Sequence, residues 1–500
     1  MAEAGTRDTE PPVRTVAEQI QDALITPIRA MRLRYLPLLM VYFAYGALGL
    51  TAVAQSFWVK SELTMTPADL ASLGVWLTVP WTVKMVFGQF VDSIPLMGSR
   101  RRIYVFIGAG LVAGGLTMLA GAAGGWLAFA PLDTMYVVAS LMTTTGVVLQ
   151  DVVADAMSTE VVRREEADGT PRPKEAVERE LGLVQVLGRL ALSFGIFSTA
   201  GIAGWLAQVT SYETVFLIGL AVPVISVSGA LLVRLESTEQ RPLDWRILGG
   251  GLAFGAAVTL VGVGQVPFAQ ELVFVVSMII VIAMLTRVTG ELDHQTRMKI
   301  FYAAVIIFVF RASPGTGEGY RWFTIDMLGF DEAFFGTLAQ IGAGLAIAGM
   351  WLLSDTITRR PVAWVLLWLT IIGTVLSAPN LALVFGVHEW TEQTFGFGAR
   401  TIALLDTTVE SPFAQLSMIP MLTLIAIHAP EGRRATWFAL MASFMNLALS
   451  AGQLQTKYFN QIFEVTRGQY DALPLLIVAV IAVGFVVPVA AIVLFGRRAT

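Results

Sequence analysis

The stretch Trp81-Thr82-Val83-Lys84-Met85-Val86-Phe87-Gly88-Gln89-Phe90-Val91-Asp92, continued by Ser93-Ile94-Pro95-Leu96-Met97-Gly98-Ser99 and Arg100-Arg101-Arg102-Ile103-Tyr104, decides how the rest of the chain is read. Lys84 lies inside an apolar run about long enough to cross a bilayer, where a lone charge costs roughly 2.5 to 3.5 kcal/mol, so a partner or a water-filled space has to compensate it. Asp92 and the arginines close the run with a short charged turn. Basic residues are retained on the cytoplasmic side, so the same turn sets the orientation of the chain.

Working outward, 55% of the 500 residues are hydrophobic and the mean hydropathy is +0.69. That is more apolar surface than a water-facing globule can bury. Apolar runs of roughly 18 to 25 residues recur between short charged connections, which predicts spanning helices; a β-barrel would alternate in strands of about 10 residues. The chain has no cysteine, which excludes disulfides, thiol catalysis and cysteine-ligated metals. His294, His388 and His428 lie in or near loops and not at zinc-ligand spacing, which argues against an intramembrane metalloenzyme. The net charge of -4 says little about partners, but its distribution does, because basic residues cluster in every second loop.

Residues 1–34 read as a cytoplasmic amphipathic segment, with Val16, Ile20, Leu24, Ile25 and Ile28 at helical spacing before Arg29, Arg32 and Arg34. A first six-helix bundle is expected over 35–234, with spans at roughly 35–56, 68–91, 103–125, 132–156, 183–207 and 213–233. Residues 235–298 form a linker holding two further runs, about 247–265 and 271–287, joined by a turn at Gln265-Val266-Pro267-Phe268-Ala269-Gln270. A second six-helix bundle is expected over 299–500, at roughly 299–317, 333–353, 361–385, 401–427, 433–456 and 472–495. The fold class is therefore an all-α integral membrane protein of about fourteen helices with both termini cytoplasmic.

The two bundles look like copies. Gln55-Ser56-Phe57-Trp58 followed by Thr66-Pro67-Ala68-Asp69-Leu70 is matched by Tyr320-Arg321-Trp322-Phe323 followed by Gly329-Phe330-Asp331-Glu332. Asp92 before Arg100–Arg102 is matched by Asp355 before Arg359-Arg360, and Asp151 with Asp155 by Asp406 with Glu410. Ordered correspondences of this kind predict a parallel repeat, the device by which many transporters build alternating gates.

These residues resemble a known family. Gly88, Asp92 and Arg100–Arg102 resemble the loop between helices two and three of the major facilitator superfamily. Within it, Trp81-x-x-Lys84, Asp92-x-x-Pro95-x-x-Gly98-x-Arg100-Arg101-Arg102-x-Tyr104, Asp151-Val152-Val153-Ala154-Asp155-Ala156 and Leu328-Gly329-Phe330 are similar to the folate-biopterin transporters. So is Ala429-Pro430-Glu431-Gly432 with Ala435-Thr436-Trp437-Phe438-Ala439-Leu440, Ser443 and Asn446. The central hairpin departs from a twelve-helix member, and the second-half loop lacks a glycine matching Gly98. The resemblance implies that Gly88, Asp92, Gly98, Arg101 and Arg102, with Asp355 and Arg359 in the second half, form inner-side gates, held in the first half by Asp92 paired with Arg101 or Arg102.

The charges embedded in spans are Lys84, Asp151, Asp155, Arg189, Arg311, Asp406 and Glu410. Left in lipid they would cost roughly 15 to 25 kcal/mol together, so they face one another or a polar cavity. Asp151 and Asp155 are one turn apart on a helix face, and paired carboxylates resist ionising together, which makes them, with Asp406 and Glu410, candidates for proton coupling. The other reading is a structural ion pair such as Asp155 with Arg189. Lys84, Arg189 and Arg311 are candidates to meet an anionic substrate, although Lys84 could equally neutralise Asp151. Tyr42, Tyr45, Gln55, Trp58, Gln150 and Gln185 could stack on a flat heterocycle or pair with its edge, or simply pack. Pro314, with the glycines that follow it, loosens a span and reads as a gate element or as a site of close helix packing.

The expectation is a proton-coupled symporter of a folate- or pteridine-like anion in the cell (inner) membrane. Its partners are that small molecule, protons and the lipid bilayer, with no cofactor, metal or nucleic acid, as a monomer and not an enzyme. Two alternatives stand beside it. One is a permease of the same superfamily for muropeptides, whose bacterial permeases share the Lys84-like and Gln150-Asp151-to-Asp155-like features, or for another small solute. The other is a non-transporting membrane scaffold or assembly factor.

Overall fold

The structure is a computed structural model that describes residues 29, 31–99, 101–166, 168–232, 245–264, 266–290, 292–358, 360–413, 416 and 434–499. The amphipathic segment before residue 29, Arg100, Arg359 and the stretch 417–433 with His428 and the Ala429–Gly432 motif lie outside the described residues, as does the side chain of Asp355. No strand occurs among the described residues, and ten of their helical segments are long and apolar enough to cross a membrane.

The first expected span is α1 (Leu36–Ala47), a 3-10 turn and α2 (Ala52–Glu62). The second is α3 (Pro67–Thr82) and α4 (Lys84–Ser93). Then come α5 (Arg102–Ala123), α6 (Leu132–Glu160), α7 (Lys174–Val209), and α8 (Tyr212–Gly219) with α9 (Ala221–Leu232). The hairpin is α10 (Trp245–Val263) and α11 (Ala269–Thr289). After it follow α12 (His294–Arg311), α13 (Glu318–Asp326), α14 (Glu332–Thr358), α15 (Val362–Leu376), α16 (Ala378–Val384), α17 (Val387–Phe395), α18 (Ala399–Glu410), α19 (Arg434–Ile462) and α20 (Leu473–Ala499). The expected loop after residue 385 contains α17, a short helix whose Trp390 and Phe395 are exposed.

Local chemistry sets the helix ends. Thr66 caps α3 through a reciprocal capping box with Asp69, and Pro67 occupies the first helical position, where its missing N–H costs nothing. Between α4 and α5, Met97 and Gly98 both have positive φ, 49 and 74, so that Leu96 and Ser99 can bond each other in both directions across a tight turn. Gly98 is needed there because the left-handed region suits a residue without Cβ.

Packing follows small residues. α5 lies on α6 with Gly108 and Gly115 against the backbone of Gly146 and Ala139, and α7 lies on α14 where Gly204 meets Gly336. Helices in lipid gain no hydrophobic drive from association, so close backbone approach supplies the contact. One buried cluster joins α2, α5, α6 and α8 around Trp58, Leu116 and Met135, and another joins α11, α12 and α19 around Ile307, Trp437 and Met441. Trp58 is 2% exposed, its ring edge-on to Tyr136 and Phe216, so it is a core residue and does not line an opening.

Two of the interrupted spans are repaired by one helix. The chain leaves helical geometry at Val83, three residues after Pro80. Ser443 on α19 donates to the carbonyl of Thr82 at 3.0 Å and Asn446 to that of Trp81 at 3.4 Å. The second break separates α12 from α13 at Ala312–Gly317, where the sequence places Pro314 and glycines. Here Gln455 donates to the Ala312 carbonyl at 2.5 Å, the Gly315 N–H donates to Thr456 at 2.9 Å, and Asn460 donates to the Thr316 carbonyl at 3.3 Å. Backbone at membrane depth cannot be left unpaired, so α19 carries the polar side chains that the two breaks require.

Candidate functional site

The break at Val83 makes Lys84 the first residue of α4, facing α6. Its Nζ lies 2.5 Å from Asp151 Oδ2 and 2.6 Å from Asp155 Oδ2, and Tyr42 of α1 donates to Asp155 Oδ1 at 2.8 Å. Arg189 on α7 is close enough to act electrostatically on Asp151, Tyr42 and Tyr45. Asp155 thus takes Lys84 and Tyr42, and not Arg189, as its close partners. The side chain of Asp151 is 13% exposed, that of Lys84 27% and that of Asp155 51%, so the cluster grades from packed helix to opening along one turn of α6. Tyr45 stacks on Trp81 beside it, ring centroids 6.0 Å apart.

Other candidates lie elsewhere. Gln150 is buried and donates to the Val105 carbonyl and to Ser226, binding α6 to α5 and α9. Gln185 donates to Ser158 at 2.8 Å across α7 and α6. Arg311 ends α12 at the second break and is partly buried. Asp406 and Glu410 lie on α18, where both act electrostatically on Tyr320, whose hydroxyl donates to Asn380 at 2.7 Å. Those two carboxylates therefore form a separate cluster from Lys84.

Gln55 donates to the Tyr136 hydroxyl at 3.1 Å and lines a cavity of about 340 Å³ between α2, α3, α6, α13 and α19. Ser56, Glu318, Arg321 and Gln453 supply the rest of its polar wall. Arg321 donates to Ser56 at 2.9 Å across this cavity.

Above it, at the Lys60 end, the early and late helices are tied together by residues the sequence reading did not single out. Arg467, in the connection between α19 and α20, donates to the carbonyls of Val59 (3.0 Å), Lys60 (2.8 Å) and Met65 (2.6 Å). Its guanidinium lies 4.2 Å from the centre of the Trp322 ring. Lys60 pairs with Asp326 at 2.5 Å, and Tyr470 donates to the same carboxylate at 2.5 Å. Tyr212 reaches Glu332 at 2.8 Å. A connecting loop shows no periodicity, so nothing in the sequence marks Arg467.

At the other end Arg101 is 4% exposed, pairs with Asp92 at 2.8 Å and with Glu160 at 2.5 Å, and donates to the Val91 carbonyl. Of the two arginines expected beside Asp92 it is Arg101 that pairs with it, and its buried guanidinium staples the end of α4 to the end of α6 through Glu160, a partner the sequence did not suggest. The Arg102 guanidinium lies over the Phe106 ring, 5.6 Å from its centre. Added side-chain volume at Gly88 would meet open space, so packing does not require glycine there.

Comparison with known proteins agrees with this architecture. The chain is similar to a Folate-biopterin transporter of a Synechocystis species, 28% identical over 455 residues that cover 89% of this chain and 78% of that protein. It is similar to Folate transporter 1 of Plasmodium falciparum, 20% identical, covering 84% of this chain and 72% of the relative. Among solved structures, a POT family transporter in complex with a thioalcohol-conjugated peptide superposes with a TM-score of 0.66 over 94% of this chain and 96% of that one. At 14% identity this likeness shows the fold, that of the major facilitator type, and nothing of the substrate. The model of the BT1 family matches residues 46–499, and the chain belongs to that family.

Proposed function

We propose that the protein is a secondary active transporter that moves a folate- or pteridine-like organic anion together with protons, by alternating access around a site centred on Lys84. The observation that carries this reading is one cation shared between two carboxylates at the end of a broken helix, with Asp155 half exposed. Lys84 and the two aspartates sum to one negative charge, and nearby Arg189 brings the group to neutrality. Protonating one aspartate leaves an excess positive charge, which an entering carboxylate satisfies. Substrate and proton then arrive together, as symport requires. Relatives named as folate and folate-biopterin transporters support the substrate class.

In this reading the chain spans the cell membrane about fourteen times as a monomer, two six-helix bundles flanking the α10–α11 hairpin, with both termini in the cytoplasm. Arg467, Lys60 and Asp326 then hold the outer side shut, and the Lys84 cluster faces the inner opening. Asp406 and Glu410 form the corresponding titrating group of the second bundle. The Val83 and Pro314 breaks are the hinges, and the Arg101 staple makes the ends of α4 and α6 move as one.

Equilibrium binding tests the reading. Titration calorimetry of the purified protein with folate and with biopterin is expected to show saturable binding with proton uptake, weakened at least tenfold in Lys84→Ala and in Arg189→Ala. A folded protein that binds muropeptide and neither pterin refutes the substrate assignment.

A further inference from the structure

A second cavity, of about 510 Å³, opens between the hairpin and the first break. One wall is Val83 and Val86 at the α3–α4 junction, another is Phe254 on α10 and Met284 on α11, and Leu440 of α19 closes it. Among the described residues, its polar lining includes two arginines, Arg246 and Arg287, and no acidic residue. Arg246 is the second residue of α10 and Arg287 lies two residues from the end of α11, so both stand at the open end of the hairpin, away from its turn. Both are exposed. Glu271, the acidic residue among the described residues of α10 and α11, lies at the opposite end and is held by Lys457 at 2.7 Å.

We propose that this cavity binds one anionic phospholipid, its phosphate held by Arg246 and Arg287 and an acyl chain lying along Phe254, Met284 and Leu440. Charge complementarity selects the headgroup: arginine forks match phosphate oxygens, and a zwitterionic lipid brings no net charge to two cations. The apolar walls select a lipid over a soluble anion, because a free phosphate has no use for a hydrocarbon surface. Basic pockets between spanning helices are where anionic headgroups are recognised. The occupant would touch Val83 and Val86 directly, so it sits against the hinge that positions Lys84. Gly251 lies so close to Val86 that any side chain there would collide, so hairpin and hinge are in direct contact at one edge of the cavity.

Native mass spectrometry of the full chain, titrated with palmitoyl-oleoyl phosphatidylglycerol or the matching phosphatidylcholine, tests this. One phosphatidylglycerol is expected to be retained in preference to phosphatidylcholine. Each arginine contributes about a five-fold factor toward an anionic headgroup, so R246Q/R287Q should lower the affinity roughly 25-fold. The control R163Q/R164Q removes the same charge from an exposed loop at the same end and should leave binding unchanged. Equal retention of the two lipids, or an equal loss in the control, overturns the proposal. With the arginines intact, F254W fluorescence should be quenched more by brominated phosphatidylglycerol than by brominated phosphatidylcholine, and equal quenching overturns it as well. Neither readout involves transport, so failure here leaves the proposed function untouched.

Discussion

Removing the Arg467 side chain should open the Lys60 end. Arg467 makes three hydrogen bonds to backbone carbonyls of residues 59, 60 and 65 and stacks on Trp322. A hydrogen bond to a charged group contributes roughly 1.5 to 3 kcal/mol and a cation–π contact from a partly exposed guanidinium about 0.5 to 1. Water replaces most of these bonds when the end opens, so the equivalent of one bond plus the ring contact, about 2 to 4 kcal/mol, biases the end toward closure. Arg467→Ala should then raise the open population roughly 30- to 700-fold while it remains the minor state. The absence of cysteine gives a silent background for the assay. Ala52 is exposed and lines the cavity beneath the latch, so Ala52→Cys reports access to it. Labelling of intact cells by a maleimide that cannot cross the membrane should be slow in Ala52→Cys and faster by that factor when Arg467→Ala is added. A change of less than twofold, in protein that remains folded and at the cell surface, would refute the latch.

Other perturbations have defined outcomes. Lys84→Ala leaves Asp151 and Asp155 side by side without their cation and should destabilise the protein by roughly 1 to 3 kcal/mol; Asp151→Asn in the same chain should restore part of it, read as thermal unfolding in detergent. Gly317 has φ 70 and a Cβ there would sit 3.0 Å from the Asn460 amide, so Gly317→Ala should cost about 1 to 2 kcal/mol and slow uptake, whereas Gly373→Ala, where a Cβ meets open space, should not. Burial opposes ionisation of Asp331, but hydrogen bonds from Arg400 and from the Phe334 N–H outweigh it and hold the carboxyl below its ordinary value. A lowered folded value gives stability that is present above the unfolded pKa of about 3.9 and is lost as pH falls through the folded one. The melting temperature should therefore fall below about pH 4 with a component that Asp331→Asn lacks.

What the sequence disclosed follows from the strength of each physical constraint. Span length is a strong constraint, and each expected span of the first 232 residues overlaps a helical segment, although α7 starts at Lys174, nine residues before the expected 183, and α2 runs on to Glu62. An uncompensated charge in lipid is equally costly, so Lys84, Asp151 and Asp155 had to find partners, and the contacts at 2.5 and 2.6 Å supply them. Which carboxylate would take Arg189 was open, because helix rotation is set by packing that periodicity alone does not reveal. The break at Val83 had only Pro80 as a signal, and proline is tolerated within spanning helices when neighbours re-satisfy the backbone. That rescue comes from Ser443 and Asn446, more than 350 residues away in sequence. Trp58 shows another limit: an aromatic residue near a span end fits a binding site and a core equally well, and its neighbours Tyr136 and Phe216 pack it into the core.

Coupled transport is proposed to run through the Lys84 site. It is tested most directly by uptake of labelled folate and biopterin into liposomes holding the purified protein, with and without an inward proton gradient, alongside Lys84→Ala. Gradient-stimulated uptake that is abolished in the variant is the expected result. Uptake that is indifferent to the gradient, or that survives in Lys84→Ala, contradicts it.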